Sequence, residues 1–566
     1  MLIREFFTPP EEDLSCFQRS WLFLSLHWKG TIIFLTPLIL IAVLTPFPPM
    51  PHQWVGYTLL LMAIFWVTEC IPIAITSFLP VVVFPLTGVM STAETCKAYM
   101  NDSVMMFVGS LMLAYAIEQS GLHKRLAYFA IRIIGYSHCR LLLAMCVVTT
   151  FVSMWVTNTA ATTMMVPINF AVLRVFDEQK IMKLYEVGPD GERFASDITA
   201  CYFCSATFSA TIGGIGTLVG TATNLAFKGL FQTAYPNAPE YLSFPKFTAF
   251  AFPYMVLMEA CLYFYMIIVY FGAFRPGSAA AKQALITQKG KEAAHRAIQA
   301  DSMKMGSFSF WEGMVLFLFT SAMLLFFCRS PQVFPGWGDV ISRSFGIKDT
   351  RFIRDSALAI GVTLLMFILP STLEIFKNFT AKYESQMPKK RVTSVLDWTR
   401  VNNEMPFSFM FLLGGGFALS DAAKMSGLND RIGESMRGLK DLPNLAIIFI
   451  IIVVVIFITN FASNVAVANV MCPLAMQLAK EIQKNPLWYC IAAGFSASYC
   501  FMIPVGTPGN LIAQSAASIP VRKMIIAGAG PTVSTILLTF IAVSFYAPVI
   551  WPDLHEMPAW IGKIQV

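Results

Sequence analysis

The chain has 566 residues, of which 56% are hydrophobic and only 13% charged, with a formal net charge of +7. Its mean hydropathy is +0.63. Soluble domains carry about 25% charged residues, so this composition excludes an ordinary water-soluble protein and predicts many membrane spans. The basic residues fall in loops between apolar runs, which fits membrane topology and not nucleic-acid binding. The twelve cysteines are scattered through apolar sequence; Cys201 and Cys204 form a CxxC without a second pair. They read as small apolar residues.

In chain order, thirteen apolar runs of spanning length fall near 31–48, 53–72, 76–90, 104–122, 141–171, 198–227, 248–273, 309–328, 354–370, 405–424, 443–479, 488–518 and 524–551. Glu11, Glu12 and Asp13 precede the first run, unlike a cleaved signal peptide. Two runs, 141–171 and 443–479, are too long for one straight crossing. A helix of that length measures about 45 Å or more, against a hydrocarbon core of about 30 Å. Each is either a long tilted helix or a hairpin that enters and leaves on one side.

Loop charge favours the hairpin. The segments 123–140, 275–306 and 377–403 are rich in Lys and Arg and belong in the cytoplasm. The first two share a side only if 141–171 does not cross, and the same parity at 443–479 keeps Arg522 and Lys523 inside. The prediction is an all-α polytopic protein with eleven transmembrane helices and two re-entrant hairpins. Its N-terminus is cytoplasmic and its C-terminus extracellular.

The chain also nearly repeats itself. Gly109, Ser120, Gly121, Leu122 and Arg125 recur 306 residues later as Gly415, Ser426, Gly427, Leu428 and Arg431. In the same register Thr157-Asn158-Thr159 meets Ser463-Asn464-Val465, and Pro167 meets Pro473. Gly220-Thr221-Ala222-Thr223-Asn224 then meets Gly506-Thr507-Pro508-Gly509-Asn510 at an offset of 286. The slip falls in the charged stretch after Arg174, where an insertion is tolerated. On the predicted topology the two copies are inverted, which places a binding site near the midplane between them.

The triplets would sit at the hairpin tips and the Gly-Thr elements where the next helices break. Irregular backbone at membrane depth survives only where protein or water satisfies it. Such breaks offer hydroxyls, amides, freed carbonyls for a small cation, and helix N-termini for an anion. No Arg or Lys lies within these segments. A single triplet of this kind is more often helix-packing glue; four matched elements at matched positions are not. Glu118 and Lys424 read as solvated or snorkelling span ends. Glu259, inside an apolar run, is either a titrating group or a polar contact between spans. Gly214-x-Gly216-x-x-x-Gly220 has the wrong spacing for a dinucleotide loop, and no catalytic motif is present, so no enzyme is expected.

The paired triplets, each followed by a Gly-Thr-x-x-Asn break, resemble the divalent anion:sodium symporter family of dicarboxylate, citrate and sulfate carriers. The resemblance runs from about 53 to 551, and strings such as Met154–Ala160 and Leu413–Leu419 are similar to its animal branch. It implies a homodimer in the plasma membrane with an elevator mechanism, carrying citrate and other Krebs-cycle carboxylates. The implied units are 1–122 and 241–424, scaffold and linking helices, and 123–240 and 425–566, the transport-domain halves. The implied substrate residues are Thr157, Asn158, Thr159, Thr221, Ser463, Asn464, Val465, Thr507 and Pro508. The implied cation ligands are Ser153, Asn158 and Gly220 in one site and Thr459, Ala462, Asn464 and Gly506 in the other. No cofactor is implied beyond Na+ or H+ as coupling ion. Thr157 and Val465 depart from the family's serine and threonine; the valine is shared by citrate carriers. Similarity to an insect member implies sodium-independent exchange.

Overall fold

The computed structural model describes residues 15–45, 47–135, 137–179, 182–187, 192–274, 288–347, 352–383, 387, 391–435, 438 and 442–561. Nearly all of the apolar runs become helices whose ends carry polar caps. Asn101 accepts from the Val104 amide at the start of Asp102–Ser120, and Ser309 from the Glu312 amide at the start of Phe310–Cys328. Among the described residues six helices are long and apolar enough to cross a membrane. A seventh counts if Trp398–Glu404 and Ser408–Met425, bent by 61° at their junction, are one span. Four shorter apolar stretches follow: Ile73–Leu86, His138–Ser153, Asp355–Ile368 and Asn444–Thr459. Several runs that look of spanning length in the sequence therefore contain turns as well as helix.

The all-α expectation needs one correction. Tyr185–Val187 and Arg193–Ala195 pair as a small antiparallel hairpin. It occupies the charged stretch that offsets the two repeats, where a polar insertion can leave the bundle.

Both long runs fold as helix–turn–helix pairs. His138–Ser153 is followed by Asn158–Glu178, and Asn444–Thr459 by Asn464–Glu481. Pro167 and Pro473 sit inside the second arm of each. The next two elements are broken alike. Asp197–Gly214 and Ala222–Ala234 are joined through Thr221 at φ −145°, ψ 147°. Pro486–Ser496 and Pro508–Ala517 are joined through Thr507 at φ −144°, ψ 139°. One extended residue at equivalent positions ends both breaks.

The core lies in the first arms of these broken helices. Every residue is buried from Ile198 to Gly214 and from Pro486 to Ser496. The second arms are exchanged between repeats: Ala222–Ala234 packs on Asn464–Glu481, and Pro508–Ala517 on Asn158–Glu178. Close approach is allowed by small residues, as expected when lipid removes the hydrophobic drive between helices. Gly416 touches Asn469 so closely that no Cβ fits.

Polar contacts gather at the two ends of the bundle. At one end Arg125 binds Glu312 and the carbonyls of Met305, Gly306 and Ser307, and Lys523 binds Glu186 and Asp197. Ala195 donates to the Ser518 carbonyl there. At the other end Arg354 meets Asp102, Lys480 meets Asp430, and Asn485 donates to the Asp553 carbonyl. The first broken helix starts beside Lys523 and ends where Lys424 donates to the Ala234 carbonyl. The second starts at Asn485 and ends at Ser518.

Candidate functional site

Each hairpin tip meets its own broken helix through the same set of atoms. Ser153 Oγ lies 2.9 Å from Asn158 Oδ1 and 2.6 Å from the Ala210 carbonyl oxygen. Thr459 Oγ1 lies 2.8 Å from Asn464 Oδ1 and 2.7 Å from the Ala497 carbonyl oxygen. Neither Gly220 nor Gly506 has space for a Cβ. One on Gly220 would stand 2.5 Å from the Gly214 carbonyl oxygen and 3.0 Å from those of Ser153 and Met154. One on Gly506 would stand 2.7 Å and 2.8 Å from the carbonyl oxygens of Thr459 and Asn460, and would strike Cys500 Sγ. Glycine is thus required where carbonyls crowd together, and clustered carbonyl and amide oxygens suit a small hard cation.

A second asparagine braces each break. Asn224 Nδ2 donates to the carbonyls of Gly214 (3.0 Å) and Thr217 (2.7 Å). Asn510 Nδ2 donates to those of Cys500 (3.1 Å) and Ile503 (3.2 Å). These pairings close the freed backbone groups that lipid would leave unsatisfied. The two copies meet where Thr207 Oγ1 donates to Asn510 Oδ1 at 2.9 Å. Gly509 lies against Thr207 and Thr162.

Four helices begin at these tips and breaks. Thr157 accepts from the Ala160 amide and so caps the first. Thr221, Ser463 and Thr507 are N-caps without a side-chain hydrogen bond, so no side chain covers the first-turn amides of these three helices, of which Pro508 supplies none. Free amides at a helix start attract carboxylates.

All of the sequence-predicted residues lie at the tips and breaks. Ser153, Asn158, Thr459 and Asn464 are joined by hydrogen bonds, and Gly220 and Gly506 back onto the same carbonyls. Ala462 is buried at the second tip. Thr157, Thr159, Thr221 and Ser463 are half-buried, and Pro508 is exposed. Thr507 and Val465 are buried. Glu118 and Lys424 are exposed, and Cys201 and Cys204 are buried and form no disulfide.

Sequence reasoning missed two features. Thr207 and Ser209 belong to a buried hydroxyl series with Ser205 and Thr211, and their alternation was the available signal. The other is a buried charge cluster. No basic residue was expected in the site segments, yet Lys228, one residue past the apolar run, is buried and lies 3.1 Å from Asp355. Arg329 is also buried and bridges Asp355 and Glu240. These ion pairs tie the first broken helix to Phe310–Cys328 and Asp355–Ile368. Lys228, Asp355 and Glu240 line a cleft together with Asp102, Tyr235 and Arg354.

Paired hairpin tips, two helices broken in their middle and stacked carbonyls define a multi-pass membrane transporter. Comparison with known proteins gives the same class. The chain belongs to the family described as the sodium:sulfate symporter transmembrane region, which matches residues 24–552. It is 35% identical to the Drosophila melanogaster protein I'm not dead yet, over 95% of this chain and 92% of that one. It is 31% identical to the Caenorhabditis elegans sodium-dependent low-affinity dicarboxylate transporter 1, over 90% and 88%. The Na(+)/dicarboxylate cotransporter 3 of Mus musculus is 30% identical, over 94% and 93%. The crystal structure of the Alcanivorax borkumensis YdaH transporter shares the fold, with TM-score 0.51 at 13% identity over 83% of this chain and 89% of that one.

Proposed function

We propose that the protein carries citrate and other Krebs-cycle di- and tricarboxylates across the plasma membrane by alternating access. The carrying observation is the set of three uncapped helix N-termini beside the two asparagine-centred cages. Several carboxylates need several donors, and the amides supply them without an arginine. The names of the worm and mouse relatives place dicarboxylates in this family. Val465 supplies an apolar wall, which suits citrate.

Topology supports the reading. The first helix–turn–helix pair starts where His138 meets Tyr202 and ends where Asp177 accepts from the Leu184 amide, and the second ends where Lys480 meets Asp430. Each pair is then a re-entrant hairpin, opposite in direction to the other, within eleven crossings. The basic end is cytoplasmic, which puts the N-terminus inside and the C-terminus outside. Hairpins, broken helices and Val521–Ile550 form the moving unit, and Phe244–Tyr270 packs against it. The spans near 31–122 and 309–424 form the scaffold, through which a homodimer associates.

Coupling has two readings. Similarity to the insect protein favours exchange without sodium. The intact cages, with Ser153, Asn158, Thr459 and Asn464 hydrogen-bonded as a set, favour sodium symport. Labelled citrate uptake into proteoliposomes, loaded with citrate or empty and bathed in sodium or choline, separates them. Uptake that needs internal citrate and ignores sodium establishes exchange. Uptake into empty vesicles that needs sodium establishes symport. No citrate uptake in any condition overturns the carboxylate reading in favour of sulfate.

A further inference from the structure

We propose that the short helix Leu122–Ile134 is a docking surface for acidic phospholipids. The inference rests on the topology read above, which sets this helix on the cytoplasmic side. Gly121, at φ +76°, turns the chain sharply off Asp102–Ser120. The helix that follows has 13 residues. That is about 20 Å, too short to cross a hydrocarbon core of about 30 Å. It ends at Gly135, at φ +107°, and the first hairpin begins at His138. The helix therefore lies along the membrane surface and not through it.

The helix has three faces. His123, Ala127 and Ile131 are buried on one, and the helix packs on His138–Ser153. Leu126, Phe129 and Ile133, spaced by three and four, form a second face that the protein leaves bare. Phe129 is 65% exposed and Ile133 67%. Lys124, Arg125 and Arg132 occupy the third, and of these Arg125 is held by Glu312. Arg140 folds back against Gly135, its Nη1 3.8 Å from where a Cβ there would stand. A further guanidinium thus reaches the C-terminal end of the helix. No Asp or Glu lies within Leu122–Ile134. Of the acids nearby, Asp301 is held by Lys304, and Glu118 stays outside ion-pair distance of Lys124. Among the described residues no acid forms an ion pair with Lys124, Arg132 or Arg140. A bare apolar stripe flanked by unpaired cations suits a helix that sinks into the acyl boundary and meets acidic headgroups with its charges.

The other copy of the repeat separates lipid recognition from an ordinary solvated helix end. Its equivalent helix, Leu428–Ser435, starts after Gly427 at φ +73°, so the backbone turn is the same. The side chains are not. At the 306-residue offset Lys124 becomes Asp430, Tyr128 becomes Glu434 and Phe129 becomes Ser435. The charges there are also satisfied within the protein, Asp430 by Lys480 and Glu434 by Arg431. The fold therefore needs neither the cations nor the bare apolar stripe at this turn. On the topology above the two helices face opposite leaflets. The cytoplasmic leaflet is the one that carries acidic lipids. Charge and apolar exposure together thus change sign with the leaflet that each copy faces.

The test reconstitutes the purified full chain in vesicles of equal phosphatidylserine and phosphatidylcholine with matched acyl chains. The protein is then re-extracted in detergent and its retained lipids are counted by mass spectrometry. Wild type should retain the serine lipid in excess over the choline lipid. The double variant Arg132→Gln, Arg140→Gln should lower the occupancy of this site by about fivefold per charge removed. Equal retention of the two lipids by wild type, or an unchanged excess in the double variant, overturns the inference. Should the double variant not fold, Lys124→Asp installs the charge of the second copy and should also lower the excess. An unchanged excess there overturns the inference as well. Orientation is read separately, with a membrane-impermeant thiol reagent on intact cells. Labelling of exposed Cys139 fails the topology, while the lipid count still judges the helix.

Discussion

The two copies of the site share the hydrogen bonds of their hydroxyl–asparagine pairs and differ in the charges beside them. Ser153, Asn158, Gly220 and Asn224 in the first do what Thr459, Asn464, Gly506 and Asn510 do in the second, down to the carbonyls that they face. Beside the first copy Lys228 pairs with buried Asp355 and Ser209 donates to buried Glu259. The corresponding positions of the second copy hold Gln514 and an unpartnered Ser496. The hydrogen-bonded geometry of the tips is therefore common to both halves, while the buried Lys228–Asp355 pair belongs to one.

The comparison is broken most completely at the shared atoms. Asn158→Ala and Asn464→Ala should each reduce citrate uptake to background, because each removes the oxygen that its hairpin hydroxyl faces. Thermal melting of the detergent-solubilised variants checks that they still fold, and wild-type uptake by both would remove the site from these tips. Next comes Lys228→Gln, which gives the first copy the residue of the second. It leaves buried Asp355 with Arg329 alone and should cost about 3 kcal/mol, read as a lowered melting temperature. Adding Asp355→Asn should return part of that loss, and no recovery would mean that the pair is not coupled.

Much of this was legible in the sequence, because a repeat needs no structure to be seen. Matching Thr157–Thr159 to Ser463–Val465 already isolates both asparagines, and Gly-Thr at each break follows from the same alignment. Composition separates the helices from the loops. What stayed hidden depends on partners distant in the chain. Nothing local marks Lys228 as buried, since it looks like the end of a span until Asp355 is found beside it. Thr207 looks like any small hydroxyl in an apolar helix, and only the meeting of two broken helices makes it the donor to Asn510. Lengths misled as well: the run near 76–90 holds a turn between Ile73–Thr76 and Leu79–Leu86, because hydropathy does not register backbone breaks.

Thr207→Val tests that crossing point at smaller scale. It strands Asn510 Oδ1, whose counterpart in the first copy, Asn224 Oδ1, is already buried without a partner. The variant should lose about 1–3 kcal/mol of stability. A melting temperature equal to wild type would mean that the second break tolerates an orphan oxygen as the first does.

The mildest change is Thr459→Ser, which makes the second cage chemically identical to the first at its hydroxyl. The hydroxyl that faces Asn464 and the Ala497 carbonyl is kept, and only one methyl group is lost from a fully buried position. That methyl is worth about 0.8 kcal/mol, or roughly a fourfold change in an equilibrium. The reverse swap, Ser153→Thr, must fit a methyl into an equally buried site and should cost about 1–3 kcal/mol by overpacking. Citrate uptake by Thr459→Ser should stay within about fourfold of wild type, with Ser153→Thr the weaker of the two. If Thr459→Ser fails where Ser153→Thr works, the cages are not equivalent, and the methyl of Thr459 shapes the second one as its hydroxyl does.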